Sequence, residues 1–120
     1  MIVVAGLLAL VATSCTGRTG PRDIVLVARG MTFVVEDDWD TPNPVIRVQP
    51  GEHIRLTLRN EAPGLLHDFR IAAWNVKTEQ IRAGQSTSVA FTVPSQQGRY
   101  EYSCTPHAAM MHGFVEVSAN

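Results

Sequence analysis

The 120-residue chain lacks several features that mark common protein classes. Its net charge is only −1, from 10 Lys and Arg against 11 Asp and Glu, and no run of basic residues occurs. This argues against a nucleic-acid partner. With only two cysteines, Cys15 and Cys104, the chain is not a disulfide-dense scaffold. It also shows no internal repeat and no 3.6-residue apolar periodicity long enough for a helix. Its 45% hydrophobic content is enough for one domain with a buried core.

The N-terminal segment predicts export. Residues 1–12 form an uninterrupted apolar run, MIVVAGLLALVA. This run is shorter than the roughly 20 residues that span a bilayer but typical of a signal peptide. The stretch VATSC at 11–15 resembles a bacterial lipobox, in which the cysteine becomes lipidated. Ala12 stands where leucine is most usual, and no Lys or Arg precedes the run. An ordinary exported protein and an uncleaved anchor are therefore the alternatives.

Three segments follow from this interpretation. We expect a signal peptide at residues 1–14, a lipidated tether at 15–23 and a single domain at 24–120. The protein would be periplasmic or otherwise extracytoplasmic, attached to the membrane through Cys15. A lipid on Cys15 would occupy its thiol, so we do not expect a disulfide with Cys104, although a disulfide is the simpler alternative in an oxidising compartment.

The pattern after the tether is that of a β protein. Runs with two-residue alternation predict strands at residues 23–28, 31–35, 45–48, 53–59, 68–72, 86–93, 98–103 and 114–118, with turn-forming stretches such as PNP at 42–44 between them. In the fourth run, Ile54, Leu56 and Leu58 share one face, and polar residues occupy the other. Seven or eight short strands with this spacing predict an all-β Greek-key sandwich of two packed sheets.

Residues 104–112 concentrate possible metal ligands. The sequence CTPHAAMMH holds one cysteine, two histidines and two methionines, which are the sulfur and nitrogen donors that soft transition metals prefer. The segment lies between two predicted strands and is therefore expected to be a loop. A Cys-x2-His pair alone is a weak signal, and a third donor must come from elsewhere. His67, which follows a proline-glycine turn in NEAPGLLHDF, is the candidate.

Five stretches of the sequence are informative when taken together: MTF at 31–33, PNPVIRVQPGEHIRLTLRN at 42–60, HDF at 67–69, AGQSTSVAFTVP at 83–94 and GRYEYSCTPH at 98–107. Together they resemble the cupredoxins, the small blue-copper electron-transfer domains. The resemblance covers residues 24–117. It implies one type 1 copper ion held in a plane by His67, Cys104 and His107, with a weak axial bond from a methionine sulfur.

The resemblance leaves the axial ligand open. Met111 gives His-x3-Met and keeps the register MHGFVEV, by which such loops enter their last strand, and we favour it. Met110 gives His-x2-Met, and His112 is the third alternative. In similar proteins the residue after the first histidine, commonly Asn, hydrogen-bonds to the loop near the cysteine. Here that residue is Asp68, and its expected partner is Thr105.

The resemblance also implies a function. We expect a monomeric, non-enzymatic carrier of single electrons between redox proteins such as c-type cytochromes or membrane oxidases and reductases. The alternative is a copper-binding module for copper handling or resistance, without a redox partner. Oxidases and nitrite reductases built from such domains need His-x-His pairs or several domains, and this sequence has neither. A nonpolar rim for docking is expected around His107, formed by Pro106, Ala108, Ala109, Pro63, Leu65 and Leu66.

Overall fold

A computed structural model of the chain describes Gly17 and residues 20–119; the predicted signal peptide and Cys15 lie outside the described residues. Nine strands are present in this part of the chain: β1 (Arg22–Arg29), β2 (Thr32–Val35), β3 (Ile46–Val48), β4 (His53–Asn60), β5 (Arg70–Ile71), β6 (Val76–Lys77), β7 (Ser86–Thr92), β8 (Gly98–Ser103) and β9 (His112–Val117). Short 3₁₀ turns occur at Ala72–Trp74 and Thr105–His107. No helix in the described part is long and apolar enough to cross a bilayer.

The strands form two sheets. One has the order β2-β1-β4-β7 and the other the order β3-β9-β8-β5-β6. β1 pairs with β4 and β3 with β9 in parallel, whereas the remaining pairs are antiparallel. The predicted all-β sandwich is confirmed.

The core lies between the sheets and follows the predicted alternation. In β4, Ile54, Leu56 and Leu58 are buried, whereas His53 and Arg55 are exposed. An aromatic cluster of Phe33, Phe69 and Tyr102 fills one part of this core, with Tyr102 stacked on Phe69 at a ring-centroid distance of 5.5 Å. The buried Tyr102 hydroxyl donates a hydrogen bond to the carbonyl oxygen of Pro44 at 2.7 Å, so its polar end is satisfied.

The structure differs from the predicted strands mainly where strands are short. β6 was not predicted, and β5 covers only two residues because the chain turns at Ala72–Trp74 and reverses at Asn75, which has a φ of 54°. Two-residue strands have no alternation that a sequence pattern could detect. β1 begins at Arg22, two residues before the expected domain start at 24. The Arg22 side chain bonds to Glu52 at 2.9 Å and to the Arg47 carbonyl oxygen at 2.8 Å, which ties the start of β1 to the domain.

Candidate metal centre

Three predicted donors meet at one end of the sandwich. One ligand atom from each of His67, Cys104 and His107 lies within 4.8 Å of the others. The Nδ1 atoms of the two imidazoles face the Cys104 Sγ at 3.5 and 3.6 Å. Imidazole and thiolate donors bound at about 2.0–2.3 Å to one ion lie roughly 3.5–3.8 Å apart, by simple geometry. These side chains therefore fit a single metal ion with nitrogen and sulfur ligands.

His67 is placed by its backbone and by a buried amide nearby. Its N–H and C=O exchange hydrogen bonds with Ile81 at 3.1 and 2.8 Å. The Asn60 side chain, which is fully buried, donates to the carbonyl oxygens of Leu65 and Ile81 and accepts from the Ala62 N–H, all at 2.8–2.9 Å. The hydrogen bonds of the buried Asn60 side chain thus hold the loop that leads to His67. This role of Asn60 was not predicted from the sequence.

The other donors lie on a loop closed by its own backbone. His107 N–H donates to the Cys104 carbonyl at 3.2 Å, and Met110 and Met111 donate to the His107 carbonyl at 3.0 and 2.9 Å. Cys104 N–H donates to the Met111 carbonyl at 3.0 Å, which closes the loop where β9 begins. Pro106 lies at the start of the 3₁₀ turn, where its missing N–H leaves no hydrogen bond unmade. The loop backbone is therefore set by local bonds.

The two methionines of this loop differ in burial. Met111 has no exposed surface and belongs to the core cluster that also contains Cys104, whereas 59% of Met110 is exposed. An axial donor must reach the interior in which Cys104 lies, and Met111 is the methionine in that core cluster. This difference favours Met111 over Met110 as the axial donor.

Asp68 connects the two ligand segments. Its Oδ1 accepts a hydrogen bond from the Thr105 N–H at 2.6 Å, while its Oδ2 is buried and has no hydrogen-bond partner. A bond of this length to a carboxylate is typical of a charge-assisted contact. The side chain holds the His67 segment against the Cys104 loop and brings a carboxyl group close to the donors.

Burial also changes the protonation of the donors. It lowers the pKa of His67, with the Gly30 backbone and Asp68 acting in the opposite direction. It raises the pKa of the Cys104 thiol. The neutral imidazole, which can bind metal, is favoured, but the thiol must lose its proton when a metal binds.

The remaining histidines lie outside the centre. His112 is exposed, with its Nδ1 at 2.8 Å from the Ala108 carbonyl oxygen, and His53 contacts the Thr92 hydroxyl at 3.0 Å. The structure also reveals a role for Asn43, which the sequence indicated only as part of a turn: its side chain bonds to the Met110 carbonyl oxygen at 3.2 Å. The position of Asn43 between two prolines in PNP is the only sequence feature that could have pointed to this role.

Comparisons with known proteins agree with this geometry. Residues 66–118 match the copper binding proteins of the plastocyanin/azurin family. A comparison with curated protein sequences found no match.

Solved structures share the fold at low sequence identity. Auracyanin from Roseiflexus castenholzii superposes with a TM-score of 0.65 at 20% identity, over 83% of this chain and 100% of that one. Rusticyanin from Thiobacillus ferrooxidans gives 0.62 at 21%, over 80% and 76%. The multicopper oxidase McoA from Aquifex aeolicus gives 0.65 at 13%, over 81% of this chain but only 26% of the oxidase.

The fold, the family match and the donor set lead to one assignment. The matched residues 66–118 include all three donors, and two nitrogens with one thiolate are the ligands of a type 1 copper site. The protein therefore has a cupredoxin fold, and His67, Cys104 and His107 form a metal site with the donor set typical of a type 1 copper centre.

Proposed function

We propose that the protein is a cupredoxin that carries single electrons between redox proteins. The observation that carries the proposal is the position of His107, a metal donor that is only half-buried and lies in a segment, residues 104–111, without charged side chains. Its ring is in edge-to-face contact with the buried His67, at a centroid distance of 5.0 Å. One donor thus connects the interior of the centre with the surface.

The rigidity of the donors supports this role. A copper ion bound here supplies a reversible one-electron couple between Cu(II) and Cu(I). Fast transfer requires that the protein change little between the two states. His67 is held by two backbone bonds to Ile81, and the loop from Cys104 to Met111 is closed by its own hydrogen bonds. The Asp68 bond to Thr105 then keeps both segments together.

The surface around His107 suits brief contacts. Residues 62–67 and 104–111 contain no Asp, Glu, Lys or Arg. Leu66 is 43% exposed and Met110 is 59% exposed, so two large apolar side chains are presented to solvent near the centre. Small interfaces of this kind fit weak electron-transfer encounters, in which the partners must separate again.

The donor inventory supports a carrier rather than an oxidase. Within the described part of the chain, His67, Cys104 and His107 are the one group of three or more His, Cys, Asp or Glu donors close enough to share a metal ion. A multicopper oxidase needs several copper ions acting together, and the described residues bring one such donor group together.

We also propose the expected partners and location. Redox proteins such as c-type cytochromes or membrane oxidases and reductases would exchange electrons with the surface around His107, and the protein would act as a monomer. The support for an extracytoplasmic location is the apolar run at 1–12 and the VATSC stretch that ends at Cys15. Membrane fractionation of cells that express the full chain or Cys15→Ser tests this. The substitution should release the protein from the membrane fraction.

The central experiment measures copper chemistry in the isolated domain. Residues 20–120 are loaded with copper, and the visible and electron-spin spectra and the voltammetric response are recorded. We expect an intense visible band from the bond between Cys104 sulfur and copper, together with reversible one-electron cycling. Copper binding without reversible cycling would instead support a copper-handling module and contradict the carrier proposal. Cys104→Ser should abolish the band.

A second experiment tests the docking surface. The electron self-exchange rate between reduced and oxidised copies is measured by NMR line broadening. Leu66→Glu places a like charge in both copies at the contact, so exchange should slow by about tenfold or more. Phe114→Glu is the matched control, because Phe114 is 37% exposed but lies on β9 outside the ligand segments. Equal slowing in both variants would rule out a contact centred on His107.

A further inference from the structure

Asn43 forms a bond that links the metal-ligand loop to another part of the fold. It lies between β2 and β3 and is 67 residues away from Met110 in sequence. Its Nδ2 donates to the Met110 carbonyl oxygen at 3.2 Å. On its other side, Oδ1 accepts from the Phe33 N–H at 3.0 Å. A single amide therefore bridges the backbone of β2 and the backbone of the ligand loop.

The bonded carbonyl belongs to the peptide group that precedes Met111. The N–H of the same peptide group, carried by Met111, donates to His107 at 2.9 Å. The next carbonyl, that of Met111, accepts from the Cys104 N–H at 3.0 Å. Both peptide groups that flank the Met111 Cα are thus held by hydrogen bonds. Two of these bonds lie within the loop, and the bond from Asn43 comes from outside it.

Asn43 is itself held firmly enough to act as an anchor. Its own N–H donates to the Phe33 carbonyl oxygen at 2.7 Å, and Phe33 is fully buried in the core. Its φ of 45° is a left-handed value that Asn tolerates better than most residues. Pro44, which follows it, is buried and accepts the Tyr102 hydroxyl hydrogen bond at 2.7 Å. Since Tyr102 precedes Cys104 by two residues, the anchor is tied to both ends of the ligand loop.

We propose that Asn43 is a positioning residue of the copper centre, which fixes the backbone at Met111 and thereby the direction of the axial sulfur. The inference rests on the axial role proposed for Met111. Asn43 is remote in sequence and lies outside both ligand segments. It would nevertheless keep the position of the Met111 sulfur constant when the metal changes its oxidation state. Asn43 contacts no donor atom, so its effect is transmitted through the loop backbone.

Two substitutions separate the two halves of the bridge. Asn43→Asp keeps an oxygen that can accept from the Phe33 N–H but removes the N–H that donates to Met110. Asn43→Gly keeps the left-handed backbone accessible and removes both side-chain bonds. The matched controls are Asn75→Asp and Asn75→Gly, because Asn75 also has a positive φ, of 54°, is exposed, and closes the Ala72–Trp74 turn through its backbone alone.

The test uses one measurement without metal and one with it. In the copper-free protein, hydrogen exchange at the Met111 amide should become roughly fivefold faster in Asn43→Asp, the factor that corresponds to one lost hydrogen bond. In the copper-loaded protein, the same variant should change the relative intensities of the visible bands. Neither Asn75 variant should produce these effects.

Two outcomes would show that the Asn43 bond to Met110 does not position the ligand loop. If only Asn43→Gly has an effect, the contact with Phe33 matters and the bond to the ligand loop does not, so the proposal is wrong. If Asn43→Asp behaves like Asn75→Asp in both measurements, the proposal is also wrong. Failure of Asn43→Gly to fold leaves the decision to Asn43→Asp. Absence of a visible band in the parent protein would refute the proposed function, while hydrogen exchange in the copper-free protein would still test the anchor.

Discussion

The two adjacent methionines of the ligand loop should respond very differently to truncation. In the copper-free protein, Met111→Ala removes three heavy atoms from a side chain with no exposed surface. Because the Met111 side chain is fully buried, Met111→Ala should lower the free energy of unfolding by about 2–5 kcal/mol. Met110 is 59% exposed, so Met110→Ala should change it by no more than about 0.5 kcal/mol. A difference of about 2 kcal/mol corresponds to a melting temperature lower by roughly 8 °C or more in a domain of this size.

Leucine variants separate packing from ligation. Met111→Leu keeps most of the side-chain volume, so the free energy of unfolding without copper should fall by less than about 1.5 kcal/mol. It removes the sulfur, however, and should therefore alter the visible and electron-spin spectra of the copper form. Met110→Leu, the matched control, should leave both spectra unchanged.

Thermal unfolding followed by circular dichroism on copper-free samples gives the stabilities, and spectra of the loaded samples give the ligation. The reasoning fails if Met110→Ala destabilises as much as Met111→Ala. It fails separately if Met110→Leu changes the copper spectra and Met111→Leu does not, since the buried methionine would then be a packing residue only.

Three further predictions concern the surroundings of the donors. Asp68→Asn should raise the reduction potential, because removal of a nearby negative charge disfavours the more positive oxidation state; a voltammetric potential at neutral pH that is unchanged or lower would contradict this. Gly113→Ala should lower the free energy of unfolding by about 1–3 kcal/mol in urea titrations, because a Cβ there would overlap the ring and hydroxyl of Tyr102. Burial raises the pKa of Tyr102, so the folded protein holds the phenol proton more tightly than the unfolded chain, whose tyrosines ionise near pH 10. The free energy of unfolding should therefore fall as the pH rises above about 10, and less steeply in Tyr102→Phe.

Sequence patterns predicted the sheets well because half-buried strands carry a strict alternation. The pattern in β4 predicted which side chains are buried, and the observed burial follows it residue by residue. The donor set was predicted from residue types and a family resemblance, and His67, Cys104 and His107 do meet. These features depend on local sequence or on side chains with distinctive chemistry.

The supporting hydrogen bonds could not be predicted in the same way. Asn60 and Asn43 act through backbone carbonyls that any residue provides, so their partners leave no trace in the sequence. The register MHGFVEV favoured Met111 over Met110, and the burial of Met111 agrees, but the hydrogen bonds that close the loop onto Cys104 could not be predicted. β5 and β6 are too short to show alternation.

The parallel pairing of β1 with β4 determines how the domain can be oriented on a support. Arg22 lies beside Ile54 near the start of β4, whereas His67 follows the far end of that strand. At about 3.3 Å per residue, the strand from Ile54 to Asn60 separates its two ends by roughly 20 Å. The chain therefore enters β1 at the end of the sandwich opposite to the metal donors. A molecule grafted by that side to a bilayer, resin or electrode would turn the half-buried His107 toward the solution. Under the proposed carrier role, electrons entering from the grafted side would then have to tunnel through the length of the sandwich.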